Sequence, residues 1–391
     1  MTKELIILPS LQAQRGAEGG FVLTKKFLEG AREIARCWPG QVTALVEMTE
    51  IPSAEFDLVE VPTETHGIVL EERPASHDPL VARVANAAAV LGFPSREQMA
   101  LAAPCRAAGV AFVLVTEYTP ETERQIMRSN TANPLLRARR LAWLWRTSHQ
   151  RRRALKISAG VQCSGTPTYD LFRSIQPNAI LFFDNRLRAN EVASDAVCRR
   201  KADALMQGRP LRLVFGGRFA PMKGVMHLPD VARALKRRGT AFSMEIYGDG
   251  PLRDPLEARI AELGLQDNVQ LCAPLDFRTG WVPVLSDKAD LFVCSHIQGD
   301  PSSTYPEVMS CGVPIVGYDN VAFQGIVRQS GTGWMSPIGK PVQLADRIAE
   351  LDRNRALLAN SVFTGRAFAR EHVFENTFRR RTEHLIEAAG L

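Results

Sequence analysis

"LRLVFGGRFAPMKGV", Leu211 to Val225, is the stretch that decides the fold. A short apolar run ends at Gly216-Gly217, two cations follow, and a helical pattern begins soon after. Runs of this length bounded by glycine have the mark of a buried strand. Glycine lets a ligand approach the backbone, and Arg218 and Lys223, five residues apart, can converge on one polyanion. Arginine offers forked contacts to phosphate oxygens and lysine a mobile point charge. A strand, a turn through Gly217, two cations and a helix, in that order, favour a diphosphate site over a loop with two solvated cations.

Outward from this point, short apolar runs alternate with helical segments along the whole chain. The N-terminal candidates for strands are "LIILP", "VTALVE", "FDLVEV", "AAVLGF", "AFVLVT", "GVQCS" and "AILFF". The second half offers "RLVFGG", "FSMEIYG", "VQLCA", "LFVCS", "PIVGY" and "GWMSP". Strand-then-helix alternation implies parallel sheets covered by helices on both faces. At 391 residues the chain exceeds one ordinary core. The expected fold is α/β, with two doubly wound Rossmann-like domains facing each other across a cleft and a ligand at the strand C-terminal ends. The expected division is residues 1–190, a linker over 191–210, and residues 211–391, with the last helix crossing back to the N-terminal domain.

The composition is that of a soluble globular protein, 45% hydrophobic and 23% charged. Seven scattered cysteines with no C-x-x-C pair argue against a zinc site or a disulfide frame and fit a reducing cytosol. The apolar run of "MTKELIILPS" is too short for a signal peptide, and "LVARVANAAAVLGF" is broken by Arg83 and Asn86, so a cytoplasmic location is expected. No metal-ligand cluster is visible, and no metal is expected. The net charge of +6 is modest, but "NPLLRARRLAWLWRTSHQRRRALK", Asn133 to Lys156, holds eight cations and no acid. They are Arg137, Arg139, Arg140, Arg146, Arg151, Arg152, Arg153 and Lys156, and they surround Trp143 and Trp145. Such a helix suits peripheral contact with an anionic membrane surface. It equally suits a solvated helix whose tryptophans enter the core. Nucleic acid is the weaker third option, since no nucleic-acid module accompanies the patch.

Two more strand ends in the second half carry polar detail. In "FSMEIYGDGPLRDPLEARI", Gly248 and Gly250 make a turn before an amphipathic helix, without the G-x-G-x-x-G spacing of a dinucleotide site. "GDPSSTYPEVMSCGVPIVGY", Gly299 to Tyr318, sets Asp300, Ser302, Ser303 and Thr304 in a loop before a short helix. Thr304 and Glu307 have the T-x-x-E spacing of a capping box, worth about 1 kcal/mol with no ligand at all. Free amides at a helix N-terminus also attract phosphate, and a first-turn carboxylate accepts hydrogen bonds from vicinal hydroxyls.

The order of "GGRFAPMKG", "YGDGP", "ADLFVCS" and "PEVMSCGVPIVGY" resembles glycosyltransferase family 4, retaining enzymes of the GT-B fold, over Leu211 to Ser336. That resemblance implies transfer of a sugar from a nucleotide diphosphate sugar, a UDP- or GDP-sugar, to a hydroxyl acceptor, with no cofactor. It implies that Arg218 and Lys223 hold the diphosphate and stabilise the departing charge. Glu307 would bind the ribose hydroxyls, and Gly217, Gly248 and Gly250 would line the nucleotide pocket. The loop from Asp300 through Ser302 and Ser303 to Thr304 would meet the donor sugar and the phosphates. "LPSLQAQRGAEGGFVLTKKF" matches the family's glycine-rich loop, where Gly19 and Gly20 would approach donor or acceptor. With the basic segment, the family analogy points to a lipid-linked saccharide acceptor in polysaccharide assembly, met at the inner face of the membrane.

The chain departs from the family pattern in two places. An E-x7-E pair would put its first acid at Gly299, whereas the acid here is Asp300, one residue later and shorter. The family's N-terminal histidine corresponds to Glu117, beside Tyr118, and His66, His77 and His149 stand in other contexts. Two alternatives follow: a sugar-nucleotide epimerase of similar fold, and a non-catalytic nucleotide-sugar-binding protein.

Overall fold

Runs of β-branched, aromatic and aliphatic residues form the strands of two sheets. The computed structural model describes residues 3–51, 57–129, 131, 133–299 and 301–391. The N-terminal strands are β1 (Leu5–Ile7), β2 (Gln12–Arg15), β3 (Phe21–Thr24), β4 (Val42–Met48), β5 (Leu58–Val61) and β6 (Glu64–Thr65). They continue with β7 (Ile68–Glu72), β8 (Ala89–Gly92), β9 (Ala111–Thr116), β10 (Gly160–Ser164) and β11 (Ala179–Phe182). The body of this sheet is parallel, in the order β11-β10-β9-β8-β1-β4 with β7 beyond β4.

Two features differ from the expected all-parallel sheet. The strand β7, "IVLEE", was not among the expected runs, and β2, β3 and β5 form a flap in which β3 pairs antiparallel with both neighbours. "FDLVEV" therefore supplies β5 at an antiparallel edge. The turn between β2 and β3 closes because Gly19 takes φ +82, a conformation that side chains with a Cβ rarely adopt. Its amides bond within the turn, Gly16 N to Gly20 O at 3.0 Å and Gly19 N to Gly16 O at 3.1 Å.

The C-terminal strands are β12 (Leu211–Gly216), β13 (Phe242–Tyr247), β14 (Val269–Cys272), β15 (Leu291–Cys294), β16 (Ile315–Tyr318) and β17 (Trp334–Ser336). All pair in parallel, in the order β14-β13-β12-β15-β16-β17. The pleat sends alternate residues to opposite faces, so Leu213, Phe215, Leu291 and Val293 enter one core layer. Val214, Phe292 and Cys294 enter the other. Within residues 191–210, a helix over Asp195–Met206 adds Cys198 and Leu205 to this C-terminal core. The final helix, Phe374–Ala389, returns to the N-terminal sheet, where Leu385 joins the core. Its buried Arg381 donates to Gln162 Oε1 at 2.8 Å and lies over Phe182 and Phe378, at 4.3 and 5.0 Å. Asp184 and Glu117 favour the Arg381 charge against the cost of its burial.

The basic helix runs over Pro134–Ile157, capped by Asn133, whose side chain accepts from Leu135 N and Leu136 N. Trp143 and Trp145 are 58% and 65% exposed, so they do not enter the core. Arg151 is 2% exposed and pairs with Glu123, which removes it from the outward-facing charge. Among the described residues, no helix is long and apolar enough to cross a membrane.

One buried carboxylate ties the two central C-terminal strands. Asp290 accepts from Arg209 at 2.7 Å to each oxygen, from Arg212 N at 2.9 Å, and from the Arg212 guanidinium. Burial opposes its charge, but the hydrogen bonds from Arg212 and Arg209 outweigh burial and hold the carboxyl below its ordinary value of 3.8. A depressed acid stabilises the fold above its unfolded pKa and loses that contribution as pH falls through the folded value. Asp290→Asn is therefore expected to lower the melting temperature at pH 7. Below pH 3 its stability should fall less steeply with pH than that of the unaltered chain, as read from urea unfolding across a pH series.

Candidate functional site

In a doubly wound sheet a crevice opens where the strand order reverses, beyond the strand C-terminal ends. Here that point lies between β12 and β15. Arg218 and Lys223 leave β12, and Ser295, His296 and the loop from Gly299 leave β15. The two exits touch at Gly224, which has φ +60 and where an added Cβ would stand 2.0 Å from Ser295 O. Ser295 Oγ donates to Lys223 O at 2.8 Å, and Ile297 N donates to Met222 O at 3.1 Å. Arg218 is exposed and makes no side-chain hydrogen bond or ion pair among the described residues. Lys223 is half-buried beside His296.

Gly217, Gly248 and Gly250 belong to one zipped pair of turns at the ends of β12 and β13. Phe219 N donates to Asp249 O at 2.8 Å, and Gly217 N to Tyr247 O at 3.1 Å. A Cβ at Gly248 would come 2.0 Å from Gly217 O, and one at Gly250 would come 2.8 Å from Phe219 O. These two glycines therefore have a structural role whatever they also line.

The loop before the site helix, Thr304–Ser310, lies at the junction of the two halves. Gly299 O accepts from Thr122 Oγ1 at 3.4 Å, and a Cβ at Gly165 would meet Pro301 Cβ at 3.0 Å. Ser302 Oγ donates to Thr304 Oγ1 at 2.9 Å. The capping box expected from the sequence is absent: Ser303 is the N-cap, it makes no side-chain cap bond, and Thr304 is already helical. The reason is the partner of Glu307. Its side chain is 3% exposed and is gripped by Arg186, Nε to Oε1 at 2.7 Å and Nη2 to Oε2 at 3.1 Å. A bidentate, charge-assisted pair outcompetes a weak bond to one backbone amide. The Arg186 guanidinium also lies 3.6 Å above the Phe277 ring. Asp300 lies outside the described residues.

Gly19 and Gly20 are placed elsewhere. The carboxylate of Glu60 accepts from the amides of Ala17, Glu18 and Gly20, at 3.1, 3.0 and 3.3 Å. A side chain of the chain itself thus fills the anion-binding nest of this loop, and no contact ties these glycines to Arg218, Lys223 or Glu307 among the described residues. Glu117 is exposed just past β9.

Two site residues escaped the sequence. Arg186 follows β11 by a few residues, and its only signal was a cluster of charge, "DNRLR", directly after an apolar strand. His296 is 1% exposed, packs edge-on to Phe215 and beside Tyr305, and neither ring nitrogen has a hydrogen-bond partner. Burial, and then the charge of Lys223, push its pKa well below the ordinary range, so the ring is neutral. Its signal was positional: a polar residue just past the end of a central strand.

The Arg186–Glu307 pair makes a definite prediction. Glu307→Gln and Arg186→Ala should each destabilise the chain by about 1–3 kcal/mol, because each leaves a polar partner poorly satisfied. A double-mutant cycle by urea unfolding should give a coupling of about 0.5–3 kcal/mol. Additive effects would show that the pair is not formed in solution.

Residues 200–366 match the family model for glycosyl transferases group 1. Among curated relatives, AmsK of Erwinia amylovora, an amylovoran biosynthesis glycosyltransferase, is 26% identical over 197 residues, covering 47% of this chain and 46% of that protein. WcaL of Salmonella typhimurium, assigned as a colanic acid biosynthesis glycosyltransferase, is 29% identical over 175 residues, 43% of this chain and 42% of that one. The matched stretches thus span less than half the length of these relatives. Among solved structures, Anabaena HepE in complex with UDP superposes with a TM-score of 0.66 at 15% identity, over 99% of this chain and 100% of that one. WaaG, a glycosyltransferase involved in lipopolysaccharide biosynthesis, gives 0.60 at 12% identity over 97% and 99%. The fold of the chain is GT-B, and its residues 200–366 form a glycosyl transferases group 1 domain.

Proposed function

We propose that the chain transfers a hexosyl group from a nucleotide diphosphate sugar to a hydroxyl acceptor with retention of configuration. One observation carries this proposal: the group 1 match over 200–366 contains the β12–β15 crevice, with Arg218 and Lys223 at its mouth. The anomeric carbon–oxygen bond to the diphosphate breaks, and the acceptor oxygen bonds to that carbon from the same face. The acceptor proton passes to the departing diphosphate oxygen. The charge gathering on the diphosphate is what needs stabilising, and two preorganised cations in a shielded crevice do so far better than they would in water. They supply this charge without a resident metal. The neutral ring of His296, buried beside Lys223, withholds a positive charge that would compete with Lys223 for the phosphates. Glu307 is assigned to the ribose hydroxyls, with Arg186 sharing its carboxylate, and the loop from Asp300 to Thr304 to the sugar.

A uridine or guanosine diphosphate sugar is the donor class. A lipid-linked saccharide of polysaccharide assembly is the acceptor class, in keeping with the assignments of AmsK and WcaL. The exposed tryptophans and cations of the basic helix give the chain peripheral contact with an anionic membrane.

Release of nucleoside diphosphate from a panel of UDP-, GDP- and ADP-sugars, with and without acceptor saccharides, tests the reaction. One donor should turn over, and Arg218→Ala or Lys223→Ala should lower kcat about 10²–10³-fold, the loss typical of one stabilising donor. A donor that isomerises with no acceptor would instead mark an epimerase, and binding without turnover a non-catalytic protein.

Vesicle co-sedimentation tests the membrane contact separately. Phosphatidylglycerol vesicles should pull down the chain, with binding falling as salt rises. Neutralising the exposed Arg139, Arg146 and Arg153 together should abolish it, whereas equal binding to neutral vesicles would sink the idea.

A further inference from the structure

Between the basic helix and the helix over Thr166–Phe172 lies a cavity of about 420 Å³, within the range of small-ligand sites. Leu141, Leu144 and Trp145 form one wall, and Leu171, Phe172 and Ile175 the other. Its polar end is built from guanidinium groups. Arg151 gives Nη2 to Glu123 and Nη1 to Tyr118 O at 3.2 Å, but its buried Nε has no partner. Arg124 is paired with Glu121. Arg152, exposed at the rim, makes no ion pair among the described residues. Three guanidiniums against two carboxylates leave the polar end cationic.

The cavity does not stop there. Pro120, Arg124 and Leu171 also line a groove of about 580 Å³ that reaches Val321, Gly325 and Arg328 of the C-terminal half. Thr122, on the wall of that groove, donates to Gly299 O in the loop at the donor crevice. Cavity, groove and crevice are therefore consecutive.

We propose that this cavity binds the hydrocarbon chain of a lipid phosphate acceptor. The phosphate sits against Arg152 and the free Nε of Arg151, and the glycan attached to it runs along the groove to the donor crevice. This rests on the lipid-linked acceptor assigned above. An apolar chain gains by leaving water for the leucine and phenylalanine walls. A phosphate needs the cations that those walls lack, and so both parts of the ligand are recognised. A bilayer phospholipid shares this chemistry but makes no use of the groove.

The test is a titration of the full chain, without membranes, with farnesyl phosphate, read by the fluorescence of Trp145 and by calorimetry. Saturable binding is expected, at least tenfold tighter than for farnesol, inorganic phosphate or dihexanoyl phosphatidylglycerol. Leu144→Arg and Ile175→Trp should each weaken it at least tenfold. Arg152→Ala, a surface change that leaves folding intact, should reduce the preference for farnesyl phosphate over farnesol at least threefold. No saturable binding, or equal affinity for the phosphatidylglycerol, overturns the proposal. If vesicles and donor turnover succeed while farnesyl phosphate fails, the cavity assignment falls alone. If donor turnover fails while farnesyl phosphate binds, the cavity stands as a lipid site and the transferase assignment falls.

Discussion

Parallel pairing of β12 with β15, Leu213 against Leu291 and Val214 against Phe292, is the constraint on which the site depends. Right-handed crossovers carry the chain away from this pair in opposite directions, so no connection crosses the space beyond its C-terminal ends. Whatever side chains follow those two strands must face one another across the opening. Arg218 and Lys223 follow one, and His296 and the Gly299 loop follow the other. Asp290, beneath them, holds the two strands together from their N-terminal side through Arg209 and Arg212. The distance between the cations and the loop is thus set by backbone pairing and one buried carboxylate rather than by the loops themselves.

The Arg186–Glu307 pair connects this crevice to the rest of the chain. Arg186 stands where the chain leaves the N-terminal sheet, and Glu307 stands in the first turns of the site helix. A buried pair of this kind contributes little net stability against its desolvation, but it fixes geometry. It aims the carboxylate, and Phe277 under the guanidinium removes much of its remaining freedom. A ribose meeting Glu307 meets Arg186 in the same step, so nucleotide binding and the crossing segment are mechanically linked.

The N-terminal half supplies surface rather than charge clamps. Its glycine loop has its amides satisfied by Glu60, and its Glu117 sits in the field of Arg381 on the returning final helix. What remains is the basic helix, with its tryptophans outward and a cavity beneath, at the end of a groove that leads to the junction of the two halves. Charge for the donor and apolar surface for a partner are thus divided between the two domains.

Local chemistry was legible from the residues alone. Strand C-terminal glycines, the paired cations after β12 and the alternation of apolar runs specify a doubly wound fold, because each depends on residues close in the chain. The strand order of the C-terminal sheet and the position of Arg218 and Lys223 at its reversal are consistent with that pattern. The antiparallel flap was not legible, since β3 and β5 are no different in composition from parallel strands and only their pairing partners distinguish them. The capping box at Thr304 and Glu307 had the right spacing, yet a guanidinium remote in sequence took the carboxylate. Gly19 and Gly20 had the right motif, yet Glu60 filled their amides. In each case the sequence by itself determined what a group is able to bind, and the tertiary structure decided what it does bind. The competing partner arrives from a distant part of the chain, and a buried charge pairs with whichever opposite charge the packing brings within reach.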